Sequence, residues 1–454
     1  MIREFAASMP QDSVVRLSAL YLPLLVTLIV GILRGRQARL FPAVLLATIW
    51  TVPTLEGLAR LNQHFLWWSF SPSAANLAGM PLEFYFGWVV LWGTLPTLAF
   101  PRQPLWLVTA LFVALDLAAI PLCAPAIRLG PQWLTGEAGA LLLVLVPALC
   151  LGRWTLTNRR LPLRAALQML LSGLLFLYFL PELAFTLRPD QASQGWQPLL
   201  AMEPALRQIL LQLVFLLALP GISAVMEFVQ RGHGTPIPYD PPQRLVTSGI
   251  YRYCANPMQL SCTLVMLAWA ALLRSPWLAA AALVVVAYSA GLANWDEAED
   301  MAVRFGEAWQ HYRAHVRAWQ LRWTPYTTAK PARLYIASTC GPCSEIRQWL
   351  EARDPHGLEI LPAESLPAGS IQRMRYDPCD GTPFEQGIPA MARALEHLSL
   401  GWALVGFLMR LPILCKGIQL VMDASGLGPR SIPATTCKEF PPATPKEAPL
   451  LSAD

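Results

Sequence analysis

The sequence predicts a mostly α, polytopic helical membrane protein of about nine spans with a C-terminal α/β domain, and three observations predict it. Of 454 residues, 55% are hydrophobic and only 14% charged, far from the balance of a soluble domain. Apolar runs of about 20 residues, the length a spanning helix needs, recur along the first two thirds of the chain. From Thr327 those runs give way to a strand-like "RLYIAS" and to "SEIRQWLEARD", whose apolar residues fall at helical spacing.

The nine apolar runs are centred near Leu25, Leu46, Val89, Leu111, Leu145, Leu174, Phe215, Met266 and Val285. The first reads as an anchor, because Arg34, Arg36 and Arg39 follow it in place of a cleavage site. Pro53, Pro96, Pro121, Pro181 and Pro220 interrupt several runs, so kinked helices are expected; backbone groups freed by proline must find partners inside the bundle. Arginines cluster in alternate loops, and by the positive-inside rule these loops and the C-terminal region face the cytoplasm of a plasma or inner membrane. Those loops also account for the net charge of +5, which implies no nucleic-acid partner. Glu56, Glu83, Asp116 and Glu182 fall within or at the ends of spans, where carboxylates either line a polar cavity or bond to a neighbouring helix. A transporter built on Glu83 and Asp116 lacks the inverted repeat that would support it.

Composition divides the chain into 1–196, a helical region of unassigned role; 197–326, a span, a long polar loop, a tight helical hairpin over Arg274-Ser275-Pro276 and a charged segment; 327–431, the α/β domain; and 432–454, a proline-rich tail with a disordered composition.

"GHGTPIPYDPPQRLVTSGIYRYCANPMQL", the hairpin, and then "EAEDMAVRFGEAWQHYRAHV" resemble, in order and spacing, the isoprenylcysteine carboxyl methyltransferase family of integral membrane enzymes. The resemblance implies methyl transfer from S-adenosylmethionine to a membrane lipid or a lipophilic small-molecule acceptor. The sulfonium methyl is already activated, so such an enzyme chiefly aligns donor and acceptor and excludes water. It also implies that Leu245, Val246, Tyr251, Asn256, Pro257, Met258 and Glu297 line the cofactor, Glu297 pairing with its ammonium or ribose hydroxyls. Ala255, Gln259 and Ala298 stand where members of the family carry Arg, Tyr and a second Glu. The alternative is therefore a retained scaffold without catalysis, with Glu297 an interfacial charge.

"STCGPCSEI" sets Cys340 and Cys343 between a strand and a helix, the context of a redox pair. A helix start favours the thiolate of Cys340, making it the attacking nucleophile and Cys343 the resolving thiol. The Gly-Pro insert resembles thioredoxin, and the region resembles the DCC family of thioredoxin-like thiol-disulfide oxidoreductases, although Ala337 replaces that family's usual Asp. This implies a thioredoxin-like fold, Pro389 facing the pair, and a cytoplasmic thiol reductant as partner. A zinc half-site completed by Cys379, or two inert thiols, are the alternatives; no cluster has the spacing of a metal centre. The run Leu398 to Met422 carries Arg410 and Lys416, which favours an amphipathic helix over a span.

Overall fold

The computed structural model describes residues 10–35, 39–187, 195–236, 240–288, 291, 294–367 and 371–429. The tail 432–454 lies outside the described residues. The chain is mostly helical. It divides into two compact units, Met1–Val246 with Pro257–Gln310, and Thr247–Asn256 with His311–Asp454. The division cuts across 197–326: the loop Thr247–Asn256 and the segment from His311 to Tyr326 pack with the C-terminal region.

Six helices of the first unit are long and apolar enough to cross a membrane: Gln11–Arg34, Leu40–Phe65, Leu105–Cys123, Trp133–Thr157, Leu161–Thr186 and Pro204–Gly232. Gln11–Arg34 buries no residue and presents Leu22, Leu25, Leu28 and Ile32 outward, as a lipid-facing helix does. The count of nine is not reached. The runs around Met266 and Val285 form Pro257–Leu272 (16 residues) and Pro276–Tyr288 (13 residues), both short of the bilayer core at 1.5 Å per residue. The run around Val89 is helical through Leu82–Trp88, Val89–Thr94 and Leu95–Ala99, but Glu83, Pro96 and its aromatic residues dilute its hydropathy. In the second unit Leu400–Met409 and Pro412–Gly426 are bent by 85° at a break and would count as a seventh crossing only if taken together.

Proline shapes the first unit in a regular way. Three π-helical turns, Val89–Thr94, Leu141–Leu145 and Leu174–Phe179, each end just ahead of a proline: Pro96, Pro147 and Pro181. A proline has no N–H and its ring crowds the carbonyl four residues back, so the helix widens there. The carbonyl so freed is the one that must be satisfied in a medium without water. For Pro147 it is Leu143, which accepts from Trp50 Nε1 at 3.0 Å; for Pro181 it is Leu177, which accepts from Trp269 Nε1 at 2.9 Å. Both tryptophans belong to neighbouring helices, so each proline generates a specific helix–helix contact.

The carboxylates of the spans are held by partners. Arg60 bonds Glu56 at 2.7 Å and also pairs with Glu182, which accepts from Trp196 Nε1 at 2.5 Å. Glu83 lies 3.9 Å from Arg16 and accepts from Ser73 Oγ. Asp116 hydrogen-bonds Glu137. Helix–helix bonding rather than an open polar cavity accounts for Glu56 and Glu182.

The second unit is built on a four-stranded sheet. Ala332–Ile336 is central, pairing parallel with Leu358–Pro362 through the crossover helix Gly341–Glu351, and antiparallel with Arg375–Asp377, which in turn pairs antiparallel with Glu385–Gln386. The strand order by sequence is second, first, third, fourth. Leu334, Ile336, Leu350, Tyr376, Ala390 and Leu395 form the core, with Cys343, Ile346, Trp349 and Trp402 packed on it. Pro412–Met422 turns Ile413, Leu414, Leu420 and Val421 outward, while Gln419 faces the domain and accepts from the Ile388 N–H.

Candidate functional site

In the first unit, the helix Pro204–Glu227 lies against Pro257–Leu272. Gly221 permits the approach: a Cβ there would meet Ser261 at 2.9 Å, and the Ser261 hydroxyl donates to Leu217 O at 2.5 Å, three residues before Pro220. This seats Pro257 as the first residue of its helix, where a missing N–H costs nothing. It also packs Met258 onto Ala165, Val225 and Val229. The approach to Leu245 and Val246 is tied down from several sides. Gln243 N–H donates to Gly232 O at 2.6 Å, Arg164 pairs with Asp240, and Arg304 donates to Pro242 O. Val246 is buried and Leu245 partly exposed. Glu297 lies in the helix Asn294–His315, with its side chain outside the described residues. That helix breaks at Gly306, whose φ of 54° and ψ of −131° are a glycine conformation.

In the second unit, the loop carrying Tyr251 and Asn256 is bonded at nearly every residue. Tyr312 Oη donates to Tyr251 O at 2.7 Å; Tyr326 and Arg322 N–H groups donate to Arg252 O and Tyr253 O, both at 2.9 Å. Ala255 and Asn256 N–H groups donate to Arg317 O and Ala318 O at 3.0 and 3.2 Å. Tyr251, Tyr253, Cys254 and Asn256 are all buried. Burial pushes the Cys254 thiol up to about 11, against smaller opposing effects of the Asn256 backbone and Arg313, and leaves it protonated at neutral pH.

The remaining contacts of this loop come from the turn between Ile388–Leu395 and Leu400–Met409. Glu396 Oε2 accepts from Gly249 N–H at 2.9 Å, and its backbone carbonyl accepts from Tyr253 Oη at 2.9 Å. The same carboxylate is flanked by Arg393 and Arg410, at 2.9 and 2.8 Å. His397 Nδ1 donates to His356 O at 2.8 Å, while its Nε2 faces Arg252 Nη2 at 3.2 Å and Tyr376 Oη at 2.9 Å. Two donors converging on one ring nitrogen require a neutral imidazole. Burial first, then Arg252, hold the proton affinity of His397 well below its ordinary value. Sequence reasoning gave Glu396 and His397 no role; the one signal was an adjacent Glu-His between two apolar helices in "RALEHLSL".

Cys340 stands at the N-cap of Gly341–Glu351 and Cys343 lies in its first turn, both partly exposed. Glu364 accepts the Ser338 and Thr339 N–H groups at 2.9 and 3.2 Å and the Thr339 hydroxyl, fixing the loop just ahead of Cys340. Burial of Glu364 opposes ionisation, but these hydrogen bonds outweigh it and hold the carboxyl below its usual range. Pro389 lies in the first turn of Ile388–Leu395, and no cis peptide occurs among the described residues. Cys379 Sγ is 3.7 Å from Asp377 O, and among the described residues no three His, Cys, Asp or Glu side chains converge as a metal site would require.

Four buried polar atoms have no protein partner: Thr235 Oγ1, Arg252 Nε, Thr263 Oγ1 and Trp319 Nε1. Buried polar atoms of this kind are normally satisfied by water or a bound molecule. Together with buried Tyr251 and Asn256, they fit a polar cofactor bearing an aromatic ring.

Residues 215–308 match the family model for phospholipid methyltransferases. This segment contains Leu245, Val246, Tyr251, Asn256, Pro257, Met258 and Glu297, and it covers a minority of the chain. Comparison with curated proteins and with solved structures finds no match.

Proposed function

We propose that this chain is an S-adenosylmethionine-dependent methyltransferase of the membrane, acting on a lipophilic or thiol-containing acceptor. The observation that carries the reading is the family match over 215–308, which contains the bonded loop and the short helical hairpin, in a chain with six apolar spans. The cofactor would supply an activated methyl group. Tyr251 would pack against its ring, Asn256 and Glu297 would bond its polar edge, and Leu245, Val246, Pro257 and Met258 would exclude water around it. The C-terminal unit would lie on the cytoplasmic side of the cell membrane, with the outward apolar residues of Pro412–Met422 against the lipid surface. Titration of the nanodisc-embedded protein with S-adenosylhomocysteine tests the reading. Saturable binding, weakened at least about tenfold in Glu297→Gln by loss of a charged hydrogen bond, is expected. Absence of binding by the wild type refutes it.

A second reading draws on the C-terminal unit: a membrane-tethered thiol-disulfide oxidoreductase in which the methyltransferase-like segment is a scaffold. Its support is the strand order around a parallel pair joined by the dithiol helix, with Cys340 at the N-cap. The Cys340 thiolate would attack a substrate disulfide, giving a mixed disulfide and one released thiol. Cys343 would then displace the second thiol, leaving a protein disulfide for a cytoplasmic thiol reductant to reduce.

A further inference from the structure

The loop Thr247–Asn256 lies within the segment matched to methyltransferases, yet it is anchored by a turn lying over 140 residues further along the chain. The anchoring is directional. Gly249 N–H and Tyr253 Oη both donate to Glu396, one to its side chain and one to its backbone, so the two ends of the turn Gly249–Arg252 are held by one residue. Arg252 is fixed between Tyr326 O at 2.9 Å and His397 at 3.2 Å. Glu396 is itself immobilised by Arg393 and Arg410, and Arg393 by Glu385 at 2.8 Å. The loop is therefore attached to a rigid, fully buried ionic cluster, where leaving any member unpaired is costly.

We infer that Glu396 and His397 are positioning residues for the methyl-donor loop, so that the C-terminal unit sets the conformation from which Tyr251 and Asn256 act. The inference rests on the methyltransferase reading for its consequence and on the geometry alone for the attachment. Neither residue touches the donor; both act through Gly249, Arg252 and Tyr253. By linkage, a donor that binds the held loop more tightly must stabilise the C-terminal unit by the same factor.

Hydrogen exchange of the full chain in nanodiscs, read by mass spectrometry, tests this. Glu396→Ala is expected to speed amide exchange over residues 249–254 at least about tenfold, as loss of a bond to a charged group implies. Glu396→Gln, whose carboxamide oxygen still accepts from Gly249, should remain much nearer the wild type; that rescue separates positioning from bulk. Tyr253→Phe leaves the ionic cluster whole, guards against simple misfolding, and should still speed exchange. S-adenosylhomocysteine affinity should fall in the order wild type, Gln, Ala, and its saturation should slow exchange over 393–398. Loop exchange unchanged in both Glu396→Ala and Tyr253→Phe overturns the attachment. Faster exchange with unchanged affinity overturns the link to the donor. A wild type that binds no S-adenosylhomocysteine overturns the methyltransferase reading instead, while the exchange data still decide the attachment.

Discussion

Mild acid should loosen the C-terminal unit through His397. In the folded chain its ring accepts from Arg252 and Tyr376 at one nitrogen and donates to His356 O at the other, leaving no place for a second proton. Burial, with Arg252 next, depresses its affinity well below the model value of 6.5. The unfolded chain therefore binds the extra proton first as pH falls, and stability present above about pH 6.5 is lost below it. From this single group the loss is about 1.4 kcal/mol at pH 5.5 and about 2 kcal/mol at pH 5.0. This window lies above the range in which ordinary carboxylates titrate. Pulse proteolysis in urea, scoring cleavage between the sheet and Leu400–Met409, measures it at pH 7.5, 6.5 and 5.5. His397→Gln cannot titrate and should lower stability at pH 7.5 but flatten the slope between pH 6.5 and 5.5. An unchanged acid slope in that variant would refute the reasoning.

Two further expectations concern the span prolines and the dithiol. Trp269→Phe leaves the Leu177 carbonyl without its donor and should cost about 1–3 kcal/mol; restoring a backbone N–H with Pro181→Ala should make the same change nearly neutral, so an additive double-mutant cycle in thermal unfolding counts against the pairing. Cys340→Ser should prevent trapping of a mixed disulfide by a disulfide probe, whereas Cys343→Ser should accumulate it; trapping undiminished in Cys340→Ser removes Cys340 as the nucleophile.

The sequence is most legible where burial is one-dimensional. Long apolar runs announce Leu40–Phe65 or Pro204–Gly232 because a bilayer demands length and hydropathy whatever the packing. The same ruler overcounts at Met266 and Val285, since an apolar run does not say where its helix stops, and Arg274-Ser275-Pro276 cuts both short. Prolines warned of disturbed helices, but nothing local said that the helix would widen into a π turn or that Trp50 and Trp269 would collect the stranded carbonyls. The candidate loop was visible as a motif; what holds it was not. Glu396 and His397 sit more than 140 residues away from their partners, and a buried Glu-His pair reads, in one dimension, like any polar step between helices. The strand–helix context of Cys340 was legible because the crossover is local in sequence.

The long-range anchoring of Thr247–Asn256 also sets an order of events at the ribosome. Glu396 is polymerised 147 residues after Gly249, a delay of roughly 10–30 s at ordinary elongation rates. By then the helices on either side of the loop have had time to enter the translocon. Through that interval Gly249, Arg252 and Tyr253 must stay hydrated or be shielded by a chaperone. A stalled or prematurely terminated nascent chain would carry every residue of the methyltransferase-like segment and still lack the clasp that gives it shape.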